Sequence, residues 1–298
     1  MRTLSDVLKQ QYGRKLRKLA LSSGCTCPNR DGRKGTGGCT FCSLGGSGEF
    51  ASPFAPADLQ IQQAKSLLKE PEDADGFIAY FQSFTNTYGD PGRLYELFQE
   101  TILRRDIEIL SIATRPDCLS DEMIGMLKRL NEIKPVWVEL GLQTIHEATA
   151  RRINRAYPLP VFTDAFHRLK EAGLEVIVHM IFSLPGESKE DMLESILWLS
   201  KLDPPIDGIK ITMLQILKGT RLAEEYLEHP FPLLSMDDYA RLVADSIRIL
   251  PESTVIHRMT GDPPRSLLIA PEWTLHKKKT RNTIMKYRSS EITWGDRL

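Results

Sequence analysis

The chain has 298 residues, 41% hydrophobic and 26% charged, a make-up that excludes a largely disordered or fibrous protein. Its 39 Lys and Arg balance 39 Asp and Glu, yet residues 1–34 hold nine basic against two acidic side chains and residues 271–298 seven against three. Basic ends on a neutral chain point to a polyanionic partner, against the commoner reading of two solvated surfaces. No uncharged run reaches the roughly 18 residues of a membrane span, and the start MRTLSDVLKQQYGRKLRKLAL lacks the apolar centre of a secretion signal, so a cytoplasmic protein is expected. Four of the five cysteines fall within 18 residues, which argues against a disulfide framework and for metal or redox groups.

Six apolar runs follow one another along the chain, at 17–23, 76–84, 107–114, 136–144, 175–184 and 208–217. Most are nearly continuous in apolar residues, which suits parallel strands covered on both faces. Between them, residues 56–69, 91–105, 120–133, 160–172 and 188–201 carry the 3.6-residue spacing of helices, several starting with Ser, Asp or Pro. Gly173 reads as a helix C-terminal glycine. Repeated strand–helix units predict a parallel α/β architecture, open or closed into a barrel. Beyond residue 220 the pattern loosens: a helix at 235–249, one more strand and a loop, then a partly helical basic tail. The expected division is a basic N-terminal segment (1–16), a core domain (17–219) and a C-terminal extension (220–298).

After the first run comes GCTCPNRDGRKGTGGCTFCSLGGSG, in which eleven residues separate Cys27 from Cys39-Thr-Phe-Cys42. Thiolates at this spacing suit an iron–sulfur cluster, three ligands leaving one iron open to a substrate, and the glycines let the loop wrap closely. A zinc knuckle would need a fourth ligand, for which only Cys25 is near, and a Cys39/Cys42 dithiol would leave Cys27 unexplained.

The stretch Cys27-Pro28-Asn29-Arg30-Asp31-Gly32 through Cys39-Thr40-Phe41-Cys42 resembles the cluster loop of Elongator-like radical S-adenosylmethionine (SAM) proteins, in particular a compact family with a CPNRDG…GGCTFC signature. The resemblance continues to about residue 270. It implies a partial (βα)6 barrel with a short extension closing its open side, and a 4Fe–4S cluster on Cys27, Cys39 and Cys42, with Phe41 beside the last ligand. It also implies SAM as cosubstrate, cleaved reductively to a 5′-deoxyadenosyl radical, and a reducing electron donor. Cys25 is then incidental, and Cys118 a buried structural cysteine. The implied substrate is a tRNA wobble-uridine side chain, more narrowly carboxymethylaminomethyl-uridine. Competing readings are a radical enzyme on a small metabolite or protein, and a zinc-stapled nucleic-acid module without catalysis.

In parallel α/β folds ligands bind beyond the carboxyl ends of the strands, so the polar residues closing each run are the expected SAM contacts. These are Thr85, Asn86 and Thr87; Thr114 and Arg115, within a segment similar to ETRPD but with Ala113 in place of the acid; Gln143 and Arg155; His179; and the Leu184-Pro185 turn. A planar Arg fork suits a carboxylate better than Lys does. Arg115 could instead pair with Asp117, and His179 alone would more often be a satisfied core histidine. Glu139, within a buried run, needs a cationic or cofactor partner. Arg14, Lys15, Arg17 and Lys18 are expected to join Lys277, Lys278, Lys279 and Arg281 in one RNA-backbone surface beside the barrel mouth.

Overall fold

In the computed structural model residues 1–68 and 76–289 are described; the last residue of the expected 56–69 helix and residues 290–298 of the tail lie outside them. The chain opens with β1 (Arg2–Thr3) and α1 (Leu4–Tyr12), then β2 (Arg17–Leu21), the cysteine loop and α2 (Ala57–Ser66). Strand–helix alternation follows: β3 (Phe77–Phe81), α3 (Pro91–Ile102), β4 (Ile107–Thr114), α4 (Asp121–Asn131) and β5 (Val136–Gln143). Next come α5 (Glu147–Arg152), α6 (Leu159–Glu171), β6 (Glu175–Phe182), α7 (Lys189–Ser200) and β7 (Gly208–Met213). The C-terminal part holds β8 (Ile216–Leu217), α8 (Arg221–Glu228), α9 (Met236–Ile249), β9 (Val255–Arg258), β10 (Leu268–Ala270) and α10 (Lys277–Ser289).

The six apolar runs all form strands, because near-continuous Ile, Val, Leu and Phe can be buried on both faces only inside a parallel sheet with helices outside it. Helices start where the chain offers a capping oxygen: Asp90, Ser120, Ser188, Thr220 and Ser235 each accept a backbone N–H of the first turn. Two expectations are corrected. The run 208–217 breaks in two, β8 leaving the main sheet to pair antiparallel with β10. The sheet has eight strands, the six runs joined by the strand expected beyond residue 220 (β9) and by the unforeseen β1, in the order β1-β9-β7-β6-β5-β4-β3-β2, every pairing parallel. The two added strands come from the chain ends, and β9, between β7 and β1, is what brings those ends together.

This sheet curls into a half-barrel. Its convex face carries the main core with the helices, including Phe81, Phe98, Val138, Phe162, Phe166 and Val178. Its concave face is layered. Near the strands' N-terminal ends Ile78, Ile109, Trp137 and Ile177 form a separate apolar plug with Leu8 of α1 and Leu16, which closes that end. Two residues further along each strand the inward side chains are Tyr80, Ser111, Glu139 and His179, and there the concave face turns polar.

Candidate active site

A cavity of about 680 Å³ occupies the concave face, from that polar layer up to the cysteine loop. Cys27, Cys39 and Cys42 all border it, with Phe41; Cys25 and Cys118 do not. Cys25 is buried with its sulfur 3.4 Å from an Arg93 nitrogen. Cys118 lies in a short 3-10 turn after β4, half-buried rather than fully buried, its thiol 3.8 Å from Asp117 Oδ1.

The signature residues around the cysteines shape the loop. Asn29 donates to Asn154 O at 2.6 Å, with its amide 3.8 Å from Cys39 Sγ. Arg30 donates to the carbonyls of Cys42 (2.9 Å) and Ser43, and Tyr88 donates to Asp31 at 2.7 Å. Gly38 sits at φ +79 with its carbonyl accepting from Asn154 (2.8 Å) and Arg221 (2.5 Å), so a side chain there would be strained and would meet Arg30. The loop is thus fastened to the turn after α5 and to the start of α8 through Asn29 and the Gly38 carbonyl.

Among the described residues the three thiols do not form a group within 4.8 Å of one another; the trio that does is His146, Asp191 and Glu194, outside the cavity. Ligands of one tetrahedral zinc, at about 2.3 Å from the metal, sit roughly 3.8 Å apart. The wider spread suits a cluster, whose thiolates bind different irons. Burial, then the neighbouring Cys42, pushes the Cys39 thiol up to about 12; burial also raises Cys42, with Arg30 opposing. Such thiols stay protonated until a cation arrives, and coordination then removes their protons.

The strand ends divide into groups that face the cavity and groups spent on holding the rim. Thr85, Thr114, Arg115, Gln143, Arg155 and His179 border the cavity. Asn86 does not: it donates to Phe81 O and Ala113 O, both at 2.9 Å, and accepts from Ser23. Thr87 likewise is bonded to Thr114 Oγ1 (2.5 Å) and Cys118 O (2.6 Å). Leu184 and Pro185 are buried off the cavity wall, Leu184 packing with Ile153, Leu214 and Ile216. These four lie off the cavity wall, Asn86 and Thr87 tied to neighbouring backbone carbonyls and Leu184 and Pro185 buried. Arg115 makes the bidentate pair with Asp117, both bonds 2.9 Å. Gln143 adopts φ +66, and Tyr157 donates to its Oε1 (3.1 Å), which orients the amide; a Cβ at Gly141 would lie 2.6 Å from the Gln143 nitrogen and push that amide aside.

Arg155 is fully buried, donating to the carbonyls of Tyr157 (3.0 Å), Leu142 (2.9 Å) and Thr144 (2.6 Å). Its Nη1 thus clamps the end of β5, while Nε holds the Tyr157 carbonyl. Its Nη2 has no hydrogen-bond partner, with Glu147 3.6 Å away, and the residue borders the cavity. A buried orphan cationic N–H at the rim fits a ligand with an acceptor, as the SAM carboxylate is.

At the floor Glu139 is 1% exposed and every lone pair is engaged: Oε1 accepts from Lys18 (3.2 Å) and Ser111 (2.8 Å), Oε2 from His179 (2.8 Å) and Lys210. Burial alone would raise this carboxyl; Lys18, Lys210 and His179 overcome it and hold it well below the usual range. Burial and Lys210 bring His179 down to about 4, so it is neutral near pH 7. The basic-end expectation fails at its N-terminal half: Lys18 points into this interior and Arg14 pairs with Glu108 (2.6 Å) beside Gly76, at the plugged end. Parallel strands put residues 14–18 at the opposite end from the mouth. Lys277 does lie at the mouth, 2.6 Å from the cavity residue Asp262. Sequence reasoning missed Lys18, Tyr80, Lys210, His257 and Arg258 as cavity residues; the available signal was a lone charge at an inward position of an otherwise apolar run.

Fold and site together define a class: a parallel half-barrel with a three-cysteine loop at the carboxyl ends of its strands. The profile of the Radical SAM superfamily matches residues 27–199, and that of the Radical SAM C-terminal domain residues 206–289. A Bacillus subtilis (strain 168) protein, YtqA, is 42% identical over 286 residues, 95% of this chain and 88% of that one. Human Elongator complex protein 3 is 28% identical over 163 residues, 53% of this chain but only 29% of the Elongator subunit. The solved archaeal Elp3 of Methanocaldococcus infernus superposes with a TM-score of 0.68 at 18% identity, covering 91% of this chain and 63% of that chain. The chain belongs to the radical SAM superfamily and is an enzyme of that class, a membership that implies a 4Fe–4S cluster and SAM. Among the described residues no helix is long and apolar enough to cross a membrane.

Proposed function

We propose that Cys27, Cys39 and Cys42 hold one 4Fe–4S cluster, that SAM lies between the cysteine loop and the strand ends, and that the substrate is a tRNA wobble-uridine side chain. The observation that carries the cofactor reading is the convergence of these three thiols, and of neither Cys25 nor Cys118, on one large cavity. When bound, the reduced cluster supplies the electron that cleaves SAM to a 5′-deoxyadenosyl radical. The chain's own part is positional. Arg30 and Asn29 hold the loop; Gln143, oriented by Tyr157, and the free Arg155 Nη2 offer donors to the cosubstrate; Phe41 and Thr85 wall it in.

The tRNA reading rests on the Elongator resemblance and on Lys277, Lys278 and Lys279, exposed at the start of α10 beside the mouth. A wobble nucleotide splayed from its stack would enter there, phosphates on the lysines. The test is anaerobic reconstitution with SAM and dithionite, then nucleoside analysis after incubation with tRNA from a strain lacking the gene. Release of 5′-deoxyadenosine with loss of one modified nucleoside is expected. Neutralising the three lysines should lower tRNA affinity and flatten its salt dependence. Undetectable tRNA binding at low salt would move the substrate to a small metabolite or a protein.

A further inference from the structure

The cavity floor carries more positive charge than it can neutralise itself. Register places its members in one layer: His179 pairs with Lys210 across β6–β7, and Lys210 with Arg258 across β7–β9. Lys18 and Glu139 meet this layer from β2 and β5. One carboxylate thus faces two ammonium groups, and Arg258 adds a third cation that has no hydrogen bond or ion pair among the described residues. The remaining acids on the cavity wall are engaged elsewhere, Glu49 by Ser43 and Asp262 by Lys277. Lys210 is only 5% exposed and lies 3.3 Å from the Tyr80 hydroxyl and over its ring. Lys18 and Arg258 are half-buried and Lys210 is buried, with one carboxylate among the three, so the layer lacks a counter-charge that an anion would supply.

We propose that this floor is the binding site for a carboxylate or phosphate carried by the substrate, with Lys210, Lys18 and Arg258 as its cationic anchors. The proposal rests on the reading of this cavity as the place where a substrate is processed, and it names that substrate's class as anionic at the buried end. Glu139 lies four residues before the end of β5, about 13 Å below the rim at strand rise, so an anion on the floor is separate from one held at Arg155. Burial, Lys18 and Arg258 depress Lys210, and an incoming anion would reverse that by restoring a counter-charge. Glu139 acts as a positioning residue: it holds both ammonium groups at the floor and competes with the ligand for them.

Equilibrium dialysis of the anaerobic, cluster-loaded protein with radiolabelled inorganic phosphate and acetate tests this. One saturable site per chain at about millimolar affinity is expected, the strength that two charge-assisted hydrogen bonds support. Binding should persist at saturating SAM, weaken about tenfold or more in Lys210→Met and remain in Lys210→Arg. Glu139→Gln should tighten it, because both ammonium groups become available; a misfolded variant could not produce that gain. Absence of a saturable site in the unaltered protein, displacement by SAM, or weaker binding in Glu139→Gln would overturn the proposal. The arms also separate it from the tRNA reading: anion binding as described with no turnover of tRNA leaves the floor standing and defeats only the wobble-uridine substrate.

Discussion

The rim and the floor of one cavity are built by opposite rules. At the rim several polar side chains are tied to backbone: Asn86, Thr87 and Arg155 Nη1 bond carbonyls within or between strand ends. Such bonds satisfy the backbone where the sheet stops, and they leave a few oriented donors over. At the floor charges bond other charges, across strands, with little backbone involved. The rim therefore owes its shape to local sequence, while the floor exists only because the sheet curls. A rim residue can look like a ligand and be tied to backbone; a floor residue can look like a stray charge and belong to a network.

The largest expected effect lies on the rim. Replacing Cys27, Cys39 or Cys42 by Ala should abolish retained iron and SAM cleavage, whereas Cys25→Ala and Cys118→Ala should keep both, read by iron and sulfide analysis and by 5′-deoxyadenosine release. Retention in Cys27→Ala with loss in Cys25→Ala would break the assignment.

Next comes the floor. Glu139→Leu strands the buried Lys210 ammonium and the half-buried Lys18 and should cost about 3–5 kcal/mol in urea unfolding. Adding Lys210→Met should recover part of that loss; full additivity of the two would show that they do not interact.

Arg155→Lys sharpens the rim side of the comparison. A compact ammonium cannot span three carbonyls, so stability should fall by about 1.5–3 kcal/mol. If SAM affinity drops as well, Nη2 serves the ligand; if stability falls while the SAM dissociation constant holds, Arg155 is a brace alone.

The smallest effect is in pH. His179 is held near 4 in the folded chain against about 6.5 in the unfolded one, so between those values the unfolded state binds the extra proton. Stability should thus fall as pH drops from about 6.5 to about 4, by at most about 1.4 kcal/mol per unit for this histidine. His257, lowered mainly by burial and then by Lys18, acts in the same direction. Denaturation midpoints at pH 7, 6 and 5 measure the slope, and His179→Gln should reduce it; an unchanged slope would remove His179 from the floor's electrostatics.

Much of this protein was determined by its sequence alone. Continuous apolar runs alternating with capped amphipathic segments require a parallel α/β sheet, since each pattern has one way to bury its apolar atoms. The cysteine loop was legible for the same local reason: Cys27, Cys39 and Cys42 lie close enough in the chain for spacing to speak for geometry. What tertiary structure decided lies at longer range. The splitting of 208–217 follows from the partner β8 finds in β10, and the entry of β1 and β9 into the main sheet follows from pairings some 250 residues apart. The separation of the two basic ends follows from strand direction, which puts Arg14 at the plug and Lys277 at the mouth. The floor depends most on the fold. Glu139 and Lys210 are single charges in two apolar runs and Lys18 follows Arg17 at the start of a third, and no local pattern says that they meet; the curl of the sheet brings them within hydrogen-bonding distance, and burial there makes each charge depend on the others.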